Sequence, residues 1–257
     1  TRLQGDWSSD VCSSDLGGDG NDSLTGGDGS DYLTGGAGTD FLQGGEGNDN
    51  FNESAEGDLI DGGNGYDYLT LYGRSTGTTV TYIDKNNFTP ATGASLKGIE
   101  SFNFQGDQSA GNDLIDASAS DHASLYGYAG DDTLTGGHGN DYIYGGDGID
   151  TLNGGDGDDF FSEDADGDLI DGGEGYDTLY LYGRSTGATV SYTDVNTFSP
   201  GSGASLKRME SLLFRGTQSG GDDSIDASAS LYADLRGDAG DDSLTGDRKS
   251  TRLNSSH

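Results

Sequence analysis

Large apolar residues return along this chain every nine positions. Counting in nines from Gly17, the eighth position holds Leu24, Leu33, Leu42, Phe51, Ile60 and Leu69, and a second register from Gly127 holds Leu134, Ile143, Leu152, Phe161, Ile170 and Leu179. A period of nine matches neither the 3.6 of a helix nor the 2 of a long strand. The residues around each apolar position, of the type Ser-Leu-Thr, suit a very short strand of roughly 10 Å. The preceding six carry Gly at positions 1, 2 and 4, which permits positive φ and a tight turn. Two turns and two strands close a coil of eighteen residues, and stacked coils set each apolar side chain inward over the one eighteen residues before. The pattern predicts an all-β solenoid of parallel strands.

The polar pattern is as regular. The sixth position is Asp22, Asp31, Asp40, Asp49, Asp58 and Asp67 in the first register, and Asp132, Asp141, Asp150, Asp159, Asp168 and Asp177 in the second. A third register starts at Gly237 with Asp242 and Leu244. The third position varies among Asp, Ala, Glu, Asn and His, so the chemistry belongs to position six. The unit at residue 53 loses its Gly-Gly pair yet keeps Asp58 and Ile60 in register. Stacking sets Asp22 over Asp40 and Asp31 over Asp49. Carboxylates repeated at the ~5 Å spacing of neighbouring strands repel unless a cation lies between them. Carboxylate and turn-carbonyl oxygens are hard ligands, suited to Ca²⁺.

A longer repeat encloses the short one. GDLIDGG at 57–63 returns at 167–173, YGRSTG at 72–77 at 182–187, and DASAS at 116–120 at 226–230, all at an offset of 110 residues. We therefore expect nonapeptide blocks at 17–70 and 108–180, β-rich spacers at 71–107 and 181–217, and the start of a third block at 218–246. The spacers hold the only two prolines, Pro90 and Pro200, and β-type runs such as TVTYI and SFNFQ, which read as short-stranded excursions or caps on the stack.

The two ends read differently. The tail DRKSTRLNSSH back-translates to DNA whose reverse complement reads DWSSDVCSSD, the stretch Asp6 to Asp15. Residues 1–16 and 247–257 are thus expected to be adapter-derived, and the reading frame to be cut at both ends. Setting them aside removes the only Cys and Trp and leaves 42 acidic against 8 basic residues, with the net charge of −34 unchanged. That balance argues against a nucleic-acid partner, which needs clustered Lys and Arg. No apolar run reaches the ~18–20 residues of a membrane span. Low hydrophobicity with high charge would suit disorder, unless something neutralises the carboxylates.

The GGxGxDxLx units resemble the repeats-in-toxin (RTX) family of haemolysin-type calcium-binding nonapeptides, strongly at 17–70 and 127–180 and in truncated form at 237–246. The resemblance implies a right-handed parallel β-roll holding Ca²⁺ between successive turns on each side. It implies secretion from a bacterium through a one-step channel, with folding outside the cell. Pairing each unit with the next but one gives four full sites per complete block and about eight ions in all, with the thirteen position-six Asp residues as metal ligands. The expected function is a non-catalytic calcium-dependent scaffold. The alternatives are an accessory module of an exported protease, lipase or alginate epimerase, and an adhesin repeat that binds a cell-surface glycan or protein.

Other motifs weigh less. Gly73–Gly77 and Gly183–Gly187 match GxSxG, but the lipase elbow needs a strand–turn–helix setting and β-type TTVTY follows Gly77. Asp164–Asp168 hints at an EF-hand, yet that loop's sixth position is Leu169 and its twelfth Gly175. His138 occupies the variable third position and reads as a solvated turn residue. Tyr66 and Tyr176, at position five of equivalent turns, are expected to point outward, where aromatics can stack on sugars.

Overall fold

The computed structural model describes residues 14–54, 57–73, 78–82, 94–106, 108, 111–164, 167–182, 189–192, 204–215, 222–246 and 252–256. Among these residues there are twenty-five β-strands and no helix. The strands form one twelve-stranded and one thirteen-stranded sheet. Within the nonapeptide blocks successive strands alternate between the two, and every pairing is parallel. Partners stand eighteen residues apart, as in Leu24↔Leu42 and Leu33↔Phe51. The fold is a parallel β-roll.

The strands run longer than the three residues expected. Ser23–Asp28, Tyr32–Ala37 and Phe41–Glu46 have six residues each. They take in the Gly-Gly pair and the residue after it, so the turn shrinks to positions 4 to 6. Gly27 still pairs with Gly45. A backbone without side chains stays in the ladder while carboxylates crowd beside it.

Burial alternates along each strand, and position eight supplies the core. Leu33, Phe51 and Leu69 on one sheet face Leu42 and Ile60 on the other, all fully buried. The next inward position in a block is a buried Gly, such as Gly26, Gly35 or Gly44. A strand inside a block thus contributes one apolar side chain to the interior, whereas Tyr68–Tyr72, Thr178–Tyr182 and His122–Ala129, next to the spacers, contribute two.

The spacer strands belong to the same two sheets. Ser101–Gln105 lies between Tyr68–Tyr72 and His122–Ala129 in the twelve-stranded sheet. In the other sheet, Ala94–Lys97 inserts between Leu59–Asn64 and Thr79–Tyr82, although Thr79–Tyr82 comes earlier in the chain. Between equivalent strands of successive units, the thirteen-stranded sheet therefore advances six strands and its partner five.

The spacer also shifts the register by two residues. Leu69 aligns with Phe102 and Ala123, whereas Leu71 aligns with Phe104, Leu125 and then Ile143. The eight-residue strand His122–Ala129 carries both rows, so the stack runs from one block into the next. At its outer edge, Ser14–Asp19 sets Asp15 opposite Leu33 and leaves Leu16 outward, 65% exposed. The inward pattern stops there.

Candidate metal centre

Each position-six Asp sits where a turn enters a strand, and the turns on each side of the roll stack in columns. Asp22, Asp40 and Asp58 form one column of the first block, and Asp31, Asp49 and Asp67 the other; all are buried. Asp132, Asp150 and Asp168, and Asp141, Asp159 and Asp177, repeat the arrangement and are buried too. Asp242 is partly buried.

Backbone hydrogen bonds fix the carboxylates. The amide of each Asp donates to Oδ1 of the Asp eighteen residues later. The distance is 2.8 Å for Asp22 to Asp40 and for Asp31 to Asp49, 2.9 Å for Asp40 to Asp58 and 2.8 Å for Asp49 to Asp67. In the second block the steps are 2.7 Å for Asp132 to Asp150, 2.8 Å for Asp141 to Asp159, 3.0 Å for Asp150 to Asp168 and 2.9 Å for Asp159 to Asp177. The stacking expected from the sequence is thus a hydrogen-bonded one.

The second carboxylate oxygen is different. Oδ2 of Asp49, Asp67, Asp132, Asp150, Asp159, Asp168 and Asp177 is buried without a hydrogen-bond partner. Unsatisfied buried charge is costly, and here it recurs. All of these except Asp168 Oδ2 converge on the position-one glycine of their own unit. A Cβ added to Gly44 would lie 2.1 Å from Asp49 Oδ2 and 2.4 Å from the Gly62 carbonyl oxygen. At Gly154 the same atoms are Asp159 Oδ2 at 2.0 Å and Gly172 O at 2.3 Å. Glycine is required because oxygens fill the space a side chain would take. Asp242 Oδ2 likewise approaches the Cβ position of Gly237.

Among the described residues no three Asp, Glu, His or Cys side chains gather closely enough to hold a metal ion by themselves. A cation here would draw on carboxylates from one or two turns and complete its shell with backbone carbonyls. Such an all-oxygen set suits Ca²⁺ and not a soft transition metal.

Electrostatics point the same way. Desolvation, with neighbouring carboxylates adding to it, pushes Asp150 and Asp159 up to about 8. Asp168 rises to about 7 and Asp67, Asp141 and Asp177 to about 6, again chiefly from burial, while Asp49 and Asp132 are raised as well. The backbone hydrogen bonds to Oδ1 oppose the shift without cancelling it.

The structure adds acids to the ladder beyond the thirteen. Glu100 and Glu210 accept from the amides of Asp67 at 2.8 Å and Asp177 at 3.0 Å, taking the place of the next position-six Asp. Their signal was present: Glu100-Ser101-Phe102 has the acid-x-apolar spacing of Asp49-Asn50-Phe51. Asp113 and Asp223, one residue out of frame, are buried and donate to Asp132 at 2.7 Å and Asp242 at 3.1 Å. Glu53 and Glu163 stand at position one, where glycine is otherwise the rule, and are fully buried.

Residues 74–77 and 183–187 lie outside the described residues, and the strand Thr79–Tyr82 follows the first GxSxG. Asp164 ends the strand Phe160–Asp164, and Asp168 belongs to the column of Asp132 and Asp150. His138 is exposed and lies 3.5 Å from Asp156 Oδ2. Tyr66 and Tyr176 point outward, 43% and 46% exposed.

The family model of the RTX calcium-binding nonapeptide repeat (4 copies) matches residues 16–51, 124–152, 139–162, 144–179 and 234–248. The first match stops short of Asp58 and Asp67, which the structure nevertheless holds in the same columns. No curated protein matches the chain. Repeats of this family bind Ca²⁺, and the roll they build is structural, not catalytic. The chain carries RTX-type repeats, and they build a parallel β-roll that forms a calcium-binding module.

Proposed function

We propose that the two nonapeptide blocks bind about eight Ca²⁺ ions, one for each Asp–Asp step between units n and n+2. The ligands are the thirteen position-six aspartates, Asp242 serving the third block, together with carbonyl oxygens of the stacked turns. Ca²⁺ supplies the positive charge that the buried Oδ2 oxygens lack. The observation that carries this reading is the recurrence of buried Oδ2 oxygens without a protein partner, as at Asp49, Asp150 and Asp159, each crowding the Cβ position of a glycine.

Function follows from the coupling. A strand inside a block buries one apolar side chain, too little against the entropy of ordering nine residues. Folding therefore waits for the ion. Extracellular calcium modules bind at about 10⁻⁴–10⁻³ M, far above cytosolic calcium, so the chain stays unfolded inside a bacterium and orders after secretion. There it serves as a rigid scaffold for whatever the parent protein carries.

A calcium titration followed by circular dichroism tests this. Parallel-β signal should rise cooperatively with Ca²⁺ and fall sharply in chelator. Identical spectra with and without chelator would rule the reading out.

A further inference from the structure

The outward face of the twelve-stranded sheet carries a row of aromatic rings across the second block. Tyr126, Tyr142, Phe160 and Tyr180 stand on four neighbouring strands, each next in the chain to a buried core residue such as Leu125 or Ile143. Ring centroids lie 5.3 Å apart for Tyr126 and Tyr142, 5.5 Å for Tyr142 and Phe160, and 6.5 Å for Phe160 and Tyr180. Tyr128 and Tyr144 widen the row at 6.1 Å and 6.4 Å from Tyr126, and Tyr182 at 5.6 Å from Tyr180. Rings paired at such separations are offset or tilted. Each of these half-buried or exposed rings therefore keeps part of a face open to solvent.

The row is held from both ends. The Tyr128 hydroxyl donates to Gln105 Oε1 at 3.0 Å, and Gln105 Nε2 donates to Asn103 Oδ1 at 2.8 Å. At the other end, Arg215 Nε donates to the Tyr180 hydroxyl at 3.1 Å, and its guanidinium lies 5.9 Å from that ring. Tyr128 also occupies position two of its unit, where glycine is usual, and takes a φ of 73°. A bulky residue in that region is a backbone outlier, and such strain gathers at functional sites. The position 110 residues earlier is Gly18, so the coil does not require a tyrosine there.

Charge is missing from this face. Among the described residues, no outward position from Tyr68–Tyr72 to Thr178–Tyr182 is charged except at strand ends, where Asp147 and Asp164 stand. Ser, Thr, Asn and Gln fill the places between rings. The thirteen-stranded sheet, by contrast, sets Asp61, Lys97, Asp116 and Asp171 outward. On a chain of net charge −34, an uncharged face gives a polyanion nothing to pair with. A second copy would be repelled, since it stays negative even with about eight Ca²⁺ bound. Open rings bordered by hydroxyl and amide groups match a ligand with apolar C–H faces and many hydroxyls. We propose that this face binds a neutral polysaccharide, its pyranose rings lying along the aromatic row and its hydroxyls meeting Asn103, Gln105 and the tyrosine hydroxyls. Strands repeat at ~4.8 Å, so successive rings advance by about one sugar unit along an extended chain.

The first block supplies the control. It carries Thr34 where the second has Tyr144, Asn50 for Phe160 and Thr70 for Tyr180, in the same coil. Affinity electrophoresis of the full chain in Ca²⁺ tests the proposal, with hydroxyethylcellulose, galactomannan and dextran as neutral polymers and alginate as a polyanion. At least one neutral polymer should retard the chain, and alginate should not. Tyr144→Thr, Phe160→Asn and Tyr180→Thr combined should weaken that retardation about tenfold or more. Tyr66→Ala with Tyr176→Ala, on the turns, should leave it unchanged. Circular dichroism of the same samples distinguishes loss of the face from loss of the roll.

Should the triple variant fail to fold, nitration of the wild type by tetranitromethane decides. The retarding polymer should slow modification of Tyr142 and Tyr144 and spare Tyr66 and Tyr176 that effect; equal rates with and without polymer overturn the proposal. Retardation by none of the three neutral polymers, equal retardation of wild type and folded variant, or stronger retardation in alginate overturns it as well. A dimer seen by sedimentation velocity and lost in the triple variant would give the face to a second copy instead.

Discussion

Leu33 and Phe102 belong to one sheet and face one interior, yet the strands around them are held together differently. In a block, the inward neighbour of the apolar residue is a glycine bordered by carboxylate and carbonyl oxygens. In the spacer that neighbour is another large apolar residue. Phe102 is joined by Phe104, and Leu212 by Phe214, all buried. Ile99 and Met209 thicken the core further. The acids are answered differently too. Asp61 meets Lys97 Nζ at 2.5 Å and Asp171 meets Arg208 Nε at 2.7 Å, so protein cations serve beside the spacer. One roll thus combines rungs whose buried carboxylates lack a protein cation with rungs that carry their own apolar and ionic support. Under the calcium reading proposed above, calcium dependence is a local property of the blocks.

Removing calcium should have the largest effect. In chelator, hydrogen exchange should lose protection throughout the blocks, while the amides of Ser101–Gln105 and Ser211–Arg215 keep the most. Equal loss everywhere would erase the distinction between the two regions.

Proton concentration comes next. Asp150 and Asp159 hold protons in the folded, calcium-free state up to about 8, whereas unfolded Asp releases them near ~3.9. The folded state therefore binds more protons between those values. Its calcium-free stability is full below the lower value and is lost as pH rises through the upper one. In chelator, Tm by circular dichroism should be higher at pH 5 than at pH 8.5. With Ca²⁺ the order should reverse, because protons compete for the ligands. A chelated Tm that climbs with pH would contradict the desolvated ladder.

Core truncation separates the regions more finely. Phe104→Ala and Phe161→Ala should each cost about 3–5 kcal/mol with calcium present, measured by denaturant unfolding. Only Phe161→Ala should also raise the calcium needed for folding. Similar shifts in both would mean that the spacer folds as part of the calcium-dependent unit.

Smaller effects sharpen the picture. Gly154→Ala places a methyl group against Asp159 Oδ2 and the Gly172 carbonyl, and overpacking of that kind costs about 1–3 kcal/mol. Its calcium isotherm should lack one site. Arg208→Ala removes a pair whose arginine is 38% exposed. It should cost no more than about 1 kcal/mol and leave calcium binding unchanged.

Much of this was legible in the residues. The spacing of Leu33, Phe51 and Leu69 specified inward rows eighteen residues apart, and Asp31, Asp49 and Asp67 specified a column. Such a code can be read because a solenoid uses local, repeating geometry: the same nine residues meet the same neighbours again. Glu100 and Glu210 repeat the acid-x-apolar spacing, but the 33-residue gaps from Asp67 and Asp177 break the count. Nothing in the spacing announces that Ala94–Lys97 slips between two strands that precede it, because non-local pairing leaves no period behind.

The sequence by itself determined the coil, its core rows and the acid at each turn, since these follow from chain geometry and side-chain polarity over a few residues. Tertiary structure alone decided the two-residue slide across the spacer and which carboxylate oxygen is hydrogen-bonded and which is left over. Those outcomes depend on which turns come into contact, and only the stacked chain brings them together.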